Sequence, residues 1–250
     1  MQRCRLSATC PRVIQTDSEH EWWASRASLL VTDLSGNHLE LPPDVRAYMI
    51  AGTPHFAEAT DVMRKAPTMA LPVNPMHAGP PMRALLSAMQ SWIASGIEPP
   101  ASRVPMRAHG TLVSAASAMA IDLPPLGYSG IYTGASFTDA TVFPPKEVGR
   151  YPVFVPRATY TGWNPRTEGF GKGTLFPLQG AIVPFAATRA EREAARDPRA
   201  SLAERYADEA AYMQALRAAA AQLVAERLML PQDAQRALDL ATQDRLARLR

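Results

Sequence analysis

An apolar segment, Val45–Ile50, leads directly into the loop 51–55, which contains Gly52 and ends in His55. An earlier apolar segment, residues 13–16, runs into a polar, acidic turn at residues 17–21. Both segments are typical of buried strands, and functional loops of open α/β sheets gather at the carboxyl ends of the strands. If the two strands are adjacent and parallel, the acidic turn and His55 are neighbours. This requirement constrains the fold more than any other feature of the chain.

The segments around these strands predict an α/β arrangement. Residues 22–30 are typical of a helix, and residues 82–93 carry apolar side chains at helical spacing. Gly96 caps the second helix, and prolines at 99 and 100 prevent its continuation. Residues 98–187 are rich in proline and predict loops and short strands packed on a neighbour.

The last part of the chain predicts helices. Thr188 and Ser201 each precede a glutamate by three residues, which is the capping-box pattern of a helix start. A longer helix follows Asp208, with Tyr212, Leu216, Leu223 and Met229 roughly along one face, and Pro231 opens a last helix. We therefore divide the chain into three parts, residues 1–97, 98–187 and 188–250.

Composition excludes several classes of function. The 250 residues are 47% hydrophobic, which is enough for a core, and the formal charge of +3 is too small to predict a nucleic-acid partner. No apolar run is long enough to span a bilayer, and residues 1–10 do not resemble a signal peptide, so the compartment stays open. Cys4 and Cys10 fit thiols better than a zinc site, and a disulfide between them is possible. We expect neither a metal nor a cofactor.

His55 is the candidate general base. Its imidazole can change protonation near neutral pH while a carboxylate holds its other nitrogen. The carboxylate would come from Asp17, Glu19 or Glu21. We favour Glu21, which is followed by two tryptophans that shield it, with Asp17 as its competitor. The plainer interpretation makes His55 a surface-loop histidine and Asp17 an Asx-turn residue or a helix N-cap.

The sequence carries no recognisable nucleophile for such a pair. A Gly-x-Ser-x-Gly elbow does not occur, and residues 127–130 (Gly-Tyr-Ser-Gly) have the wrong spacing. The glycine-rich residues 169–174 lack the Gly-Lys-Ser/Thr ending of a phosphate-binding loop, so we expect a surface loop there. The arginine-rich C-terminal helices alternate arginine with acidic residues, as solvated, ion-paired helices do.

Many short motifs together resemble one family. They are Cys10 with Pro11 and Arg12, the Glu-Trp-Trp at Glu21, Asn74 with Pro75, Trp92, Gly110 with Thr111, the Tyr-Thr-Gly-Trp-Asn at Tyr160, Gln179 with Gly180, and the segments starting at Pro184 and Ser201. In this combination the chain resembles, over nearly its whole length, the C-terminal half of large bacterial α/β-hydrolase domain proteins.

This resemblance implies a serine hydrolase of the esterase type. It implies the C-terminal part of an α/β-hydrolase sheet, followed by the proline-rich region and a helical tail. His55 falls on the expected base, and Glu21 falls on a recurrent Glu-aromatic-Trp position. The serine and the oxyanion hole would lie upstream, in an N-terminal half that we expect to be missing, so this chain alone would be inactive on its small-molecule ester substrate. The alternative is a non-catalytic module that docks a partner subunit.

Overall fold

The computed structural model describes residues 2–56, 68–112, 155–167, 174, 176 and 178–242. The helices and strands follow in chain order: α1 (Gln2–Leu6), β1 (Val13–Ser18), α2 (Glu19–Ala24), β2 (Val45–Ile50), α3 (Gly79–Ser95), β3 (Ala158–Thr161), β4 (Ala181–Pro184), α4 (Arg189–Ala194), α5 (Leu202–Arg205), α6 (Glu209–Ala225) and α7 (Pro231–Thr242). Two 3₁₀ turns, Ala27–Leu30 and Arg107–His109, complete the described elements.

Strands β1 and β2 are adjacent and parallel, which is the arrangement that would bring the acidic residues after β1 close to His55. Their register pairs Val13 with Val45 and Ser18 with Ile50, so the two strands end side by side. Beyond β2, Arg103 continues the ladder through its backbone groups, because Met49 donates to its carbonyl and its own N–H donates to Ala47. The loops that follow β1 and β2 therefore leave the same edge of the sheet.

Both faces of this small sheet are covered. Tyr48 and Ile50 face α3 and the C-terminal helices in a cluster completed by Leu85, Ala220, Leu223, Leu228, Met229 and Ala234. Ala47 faces the opposite side, in a cluster with Trp22, Ala27, Val31 and Leu112. A parallel sheet buried on two faces is the arrangement of an α/β protein. The C-terminal helices thus pack directly on the strands that lead to the site.

The predicted polar turn at residues 17–21 is wrong. Asp17 and Ser18 are the last residues of β1, and Glu19 begins α2 without an intervening loop. Ser18 is the N-cap of α2, with extended backbone at a φ of −79° and a ψ of 169°, so Asp17 is not the cap. The prediction failed because a strand can pass into a helix at one capping residue, without a separate turn.

The helices predicted from sequence are largely confirmed. Residues 82–93 lie inside α3, and Gly96 caps it with a left-handed φ of 70°. Thr188 and Ser201 cap α4 and α5, and Asp208 caps α6 by accepting a hydrogen bond from the N–H of Ala211. Of the residues predicted to share one face, Tyr212, Leu216 and Leu223 lie in α6, whereas Met229 follows the end of the helix at Ala225. Tyr212 and Leu216 belong to one apolar cluster, and Leu223 and Met229 belong to another.

A second sheet of two antiparallel strands, β3 and β4, is tied to the C-terminal part by one buried arginine. Arg199 pairs with Asp197, with its Nη2 2.6 Å from Oδ2, and donates to the carbonyls of Val183 and Pro184. Only 5% of each of the paired side chains is exposed. The arginine-rich region is therefore more than a solvated surface, although its pair Arg189–Glu193 is exposed as predicted.

Cys4 and Cys10 form a disulfide, which the sequence leaves open. The prediction for the proline-rich region can be compared with the structure only in part. Residues 113–154, which include 127–130, lie outside the described residues, and so do most of residues 169–174. The boundaries at residues 97 and 187 stay predictions. Contacts cross both of them, because Tyr48 of β2 packs on Leu223 of α6.

The buried pair of Arg199 and Asp197 gives a test of this fold. Asp197→Ala should lower the free energy of unfolding by about 3–5 kcal/mol, because it leaves a buried guanidinium without its carboxylate. Urea unfolding measures this loss. Glu193→Ala, which removes the exposed partner of Arg189, is the matched control and should cost about 0.5 kcal/mol or less. Equal losses of unfolding free energy in the two variants would contradict a stabilising role for the buried pair of Arg199 and Asp197.

Candidate active site

Glu21 and His55 meet at the shared edge of β1 and β2. The Nδ1 atom of His55 is hydrogen-bonded to the carboxylate oxygen Oε1 of Glu21. Glu21 lies three residues beyond the end of β1, and His55 lies five residues beyond the end of β2. Because a carboxylate oxygen accepts, Nδ1 carries the proton and Nε2 of a neutral ring is the basic nitrogen.

Glu21 is held in place by the start of its own helix. Its other oxygen, Oε2, accepts from the backbone N–H of Ser18 at 2.8 Å and from the Ser18 hydroxyl. Glu21 is the third residue of α2 and Ser18 is the N-cap, so these contacts form a capping box. One carboxylate therefore closes the first turn of α2 and also orients the imidazole of His55.

The charge of Glu21 is favoured at neutral pH. Burial alone would raise the pKa of Glu21, but the hydrogen bonds from Ser18 and His55 outweigh it and hold the pKa below its usual value. The side chain is 21% exposed, whereas that of His55 is 44% exposed. The acid is thus shielded while the imidazole can be reached from outside.

The loop that carries His55 begins with a fully buried turn. Gly52 has a left-handed φ of 69°, a conformation that glycine adopts without strain. Its carbonyl accepts from Nδ2 of Asn74 at 2.7 Å, and the hydroxyl of Thr53 donates to the carbonyl of Ile50. The backbone of this turn is consequently fixed by buried polar groups up to two residues before His55.

The two other candidate acids do not contact His55. Asp17 lies in β1 and accepts from Nε2 of Gln15 at 3.0 Å, and burial is the main reason that its pKa is raised. Glu19 is fully buried and accepts from the backbone N–H groups of Gly52 and Gly162. The contact geometry favours Glu21 over both. The catalytic roles themselves stay a prediction.

His20 is a second histidine near the site, but its role is structural. Its Nδ1 donates to the carbonyl of Gly162 at 2.8 Å, and its ring centroid is 6.4 Å from that of His55. Burial lowers the pKa of His20, with only partial compensation by the Gly162 carbonyl and the charge of Glu21. The ring is therefore kept neutral beside the candidate base.

Sequence reasoning missed the structural roles of three residues at this site, which are Ser18, Glu19 and Asn74. Ser18 and Glu21 have the Ser-x-x-Glu spacing of a capping box, so this signal was present in the sequence. Glu19 and Asn74 gave no local signal, because their partners lie in loops distant along the chain. The short range of sequence motifs does not extend to such contacts.

A family model described as alpha/beta hydrolase domain matches residues 1–239. The chain belongs to the alpha/beta hydrolase domain family. The match covers nearly the whole chain, as the resemblance implies. No curated protein and no solved structure matched the chain.

Membership of the alpha/beta hydrolase domain family supports a hydrolase-like fold. It does not identify the nucleophile, and correspondence to the C-terminal half of a longer enzyme stays a prediction. Within the described residues, no cluster of three or more His, Cys, Asp or Glu side chains is arranged to hold a metal. In that same part of this hydrolase-family chain, every helix is too short or too polar to cross a membrane.

The lowered pKa of Glu21 predicts a pH dependence of stability. The folded-state pKa lies below the unfolded value, so the carboxylate stabilises the fold above the unfolded pKa. This contribution is lost as the pH falls through the folded-state pKa. Glu21→Gln should therefore be less stable near neutral pH and lose less stability on acidification than the wild type.

Thermal unfolding between about pH 6 and about pH 2 measures this difference. Glutamine can still serve in a capping box, so the substitution isolates the charge. Glu40→Gln changes an exposed glutamate and should retain the wild-type dependence. An unchanged acid dependence in Glu21→Gln would show that the contacts to Ser18 and His55 do not stabilise the charge.

Proposed function

We propose that this chain provides the acid and the histidine of a serine hydrolase that cleaves carboxylic esters or related acyl bonds. The hydrogen bond between His55 Nδ1 and the Glu21 carboxylate carries the proposal. It occurs where two parallel strands end together, and the imidazole is accessible. Membership of the alpha/beta hydrolase domain family supports the same reaction class.

The proposed reaction uses His55 as a proton carrier. Its Nε2 accepts the proton of the serine hydroxyl as Oγ attacks the carbonyl carbon of the ester. Glu21 stabilises the imidazolium that forms. His55 then returns the proton to the departing alcohol, which leaves an acyl-enzyme. A water molecule then gives a proton to His55 as its oxygen attacks the acyl carbon. His55 passes this proton to the serine Oγ as the acyl–serine bond breaks, which releases the carboxylic acid and regenerates the serine and the neutral imidazole.

The serine is proposed to come from polypeptide outside these 250 residues. The sequence contains no Gly-x-Ser-x-Gly elbow, and in the family the chain order is serine, acid, histidine. If the nucleophile and the oxyanion hole both come from that polypeptide, His55 has nothing to activate in this chain alone, which is therefore proposed to be inactive.

Two surfaces support the docking of such polypeptide. Among the described residues β1 pairs only with β2, and the parallel ladder turns the backbone groups of Ile14 and Thr16 away from β2. An unpaired strand edge can accept another strand. On α3, Met82, Leu86 and Ile93 are exposed on one helix face. These three side chains form an exposed apolar strip along α3.

The acid and base roles are tested in a longer product. The DNA directly before the first codon is read for an in-frame Gly-x-Ser-x-Gly, and the longer polypeptide is assayed with p-nitrophenyl esters. His55→Ala should lower kcat by about 10⁴-fold or more, and Glu21→Gln by about 10²–10⁴-fold.

Asp17→Asn is the matched control for the choice of acid. It changes a neighbouring carboxylate that does not contact His55, so kcat should stay within about twofold of the wild type. Full activity in His55→Ala would refute the proposal. So would covalent labelling of the 250-residue chain alone by a fluorophosphonate, because that result would place an active serine within it.

The exposed edge and apolar strip also favour a second candidate, a non-catalytic module that docks a partner subunit. The two candidates differ in the behaviour of the isolated chain. A module should be monodisperse and fold cooperatively, whereas a piece of a larger sheet should self-associate through its apolar surface.

Light scattering after size-exclusion chromatography measures this behaviour. If the chain is part of a larger hydrolase sheet, Leu86→Glu combined with Ile93→Glu should reduce self-association. Leu30→Glu, at an exposed leucine outside α3, should not. A monodisperse wild-type chain would favour the module instead.

A further inference from the structure

We propose that Glu19 is a positioning residue for His55, acting through the backbone of the loop that carries it. This inference rests on the proposed function, because His55 needs positioning only if it serves as the base. Glu19 is the first residue of α2 and is 0% exposed. It is separate from Glu21, which contacts the imidazole itself.

Glu19 joins two loops that are far apart in sequence. Its Oε2 accepts from the N–H of Gly52 at 2.8 Å, and its Oε1 accepts from the N–H of Gly162 at 3.0 Å. Both oxygens are thus used to hold backbone. A carboxyl group that accepts from two backbone N–H groups restrains the separation of those groups.

Asn74 makes the complementary bridge between the same two regions. Its Nδ2 donates to the carbonyls of Gly52 and Thr161, at 2.7 and 2.9 Å. The N–H and the carbonyl of Gly52 are therefore both held by fully buried side chains. Any movement of the backbone at Gly52, three residues before His55, would therefore break a buried hydrogen bond.

The close approach of the Gly162 loop completes the bridge. A Cβ atom at Gly162 would lie 2.5 Å from the backbone nitrogen of His20 and 2.7 Å from the Cβ of Glu19. Only glycine allows this distance. Glu19 therefore connects three segments into one unit: the first turn of α2, the loop at Gly162 and the loop that leads to His55. Glu21 lies in the first of these segments and His55 in the last, so the backbone that carries each side chain is held in place.

Glu19→Gln tests the role in the chain as it exists. Glutamine has a single acceptor oxygen, and its amide faces an N–H donor, so one of the two loops loses its partner. The readout is the ¹H–¹⁵N spectrum of the imidazole of His55. The wild type should show a hydrogen-bonded proton on Nδ1, and both Glu19→Gln and Glu21→Gln should lose this resonance.

Asp197→Asn is the matched control, because it alters another buried carboxylate, one whose partner is Arg199. If Glu19 only stabilised the fold, the two variants would leave the Nδ1 resonance equally intact. A folded Glu19→Gln protein with the wild-type resonance overturns the proposal. The spectrum does not depend on hydrolysis, so this result is distinct from a failure of the proposed function.

Hydrogen exchange of the wild type decides the matter if Glu19→Gln does not fold. The amides of Gly52 and Gly162 donate to the same carboxyl group, so they should be protected and exchange at similar rates through one shared opening. Rapid exchange of Gly52 while Gly162 stays protected would overturn the bridge, and with it the positioning role.

Discussion

The parallel pairing of β1 with β2 is the interaction on which the site depends. Its register places Ser18 beside Ile50, so the two chains leave the sheet together. From there α2 carries Glu21 and the buried turn at Gly52 carries His55, each over only a few residues. A shift of the register by one residue would turn the alternating side chains to the opposite face and separate the two loops. The clusters on both faces of the sheet oppose that shift.

Backbone hydrogen bonding alone does not hold the loops beyond the strands. Buried polar side chains, chiefly Glu19 and Asn74, also hold these loops by forming hydrogen bonds with backbone groups of Gly52 and Gly162. Burying such groups is favourable only when they are fully paired. The same pairing makes the arrangement specific, because any displacement leaves a buried group without its partner.

Local patterns in the sequence predicted β1, β2 and the capped helices, although not the positions of β3 and β4. Each of these predictions depends on residues within a few positions of one another, such as Gly96 at the end of α3. The predicted strand ends in turn favoured Glu21 as the neighbour of His55, with Asp17 as its competitor. The direct passage from β1 into α2 was mistaken for a turn, because acidic and polar residues also favour turns. The bridges of Glu19 and the contacts of Arg199 with β3 and β4 join segments that are distant in sequence, and a single sequence carries no signal for them.

The Glu21 carboxylate divides its two oxygens between Ser18 and His55. Helix initiation and imidazole orientation are therefore not independent properties of this chain. Whenever the first turn of α2 frays, the acid is released from its rotamer and the histidine loses its partner at the same moment. A substitution at Ser18 would in this way alter the orientation of the His55 imidazole through the stability of a single helical turn.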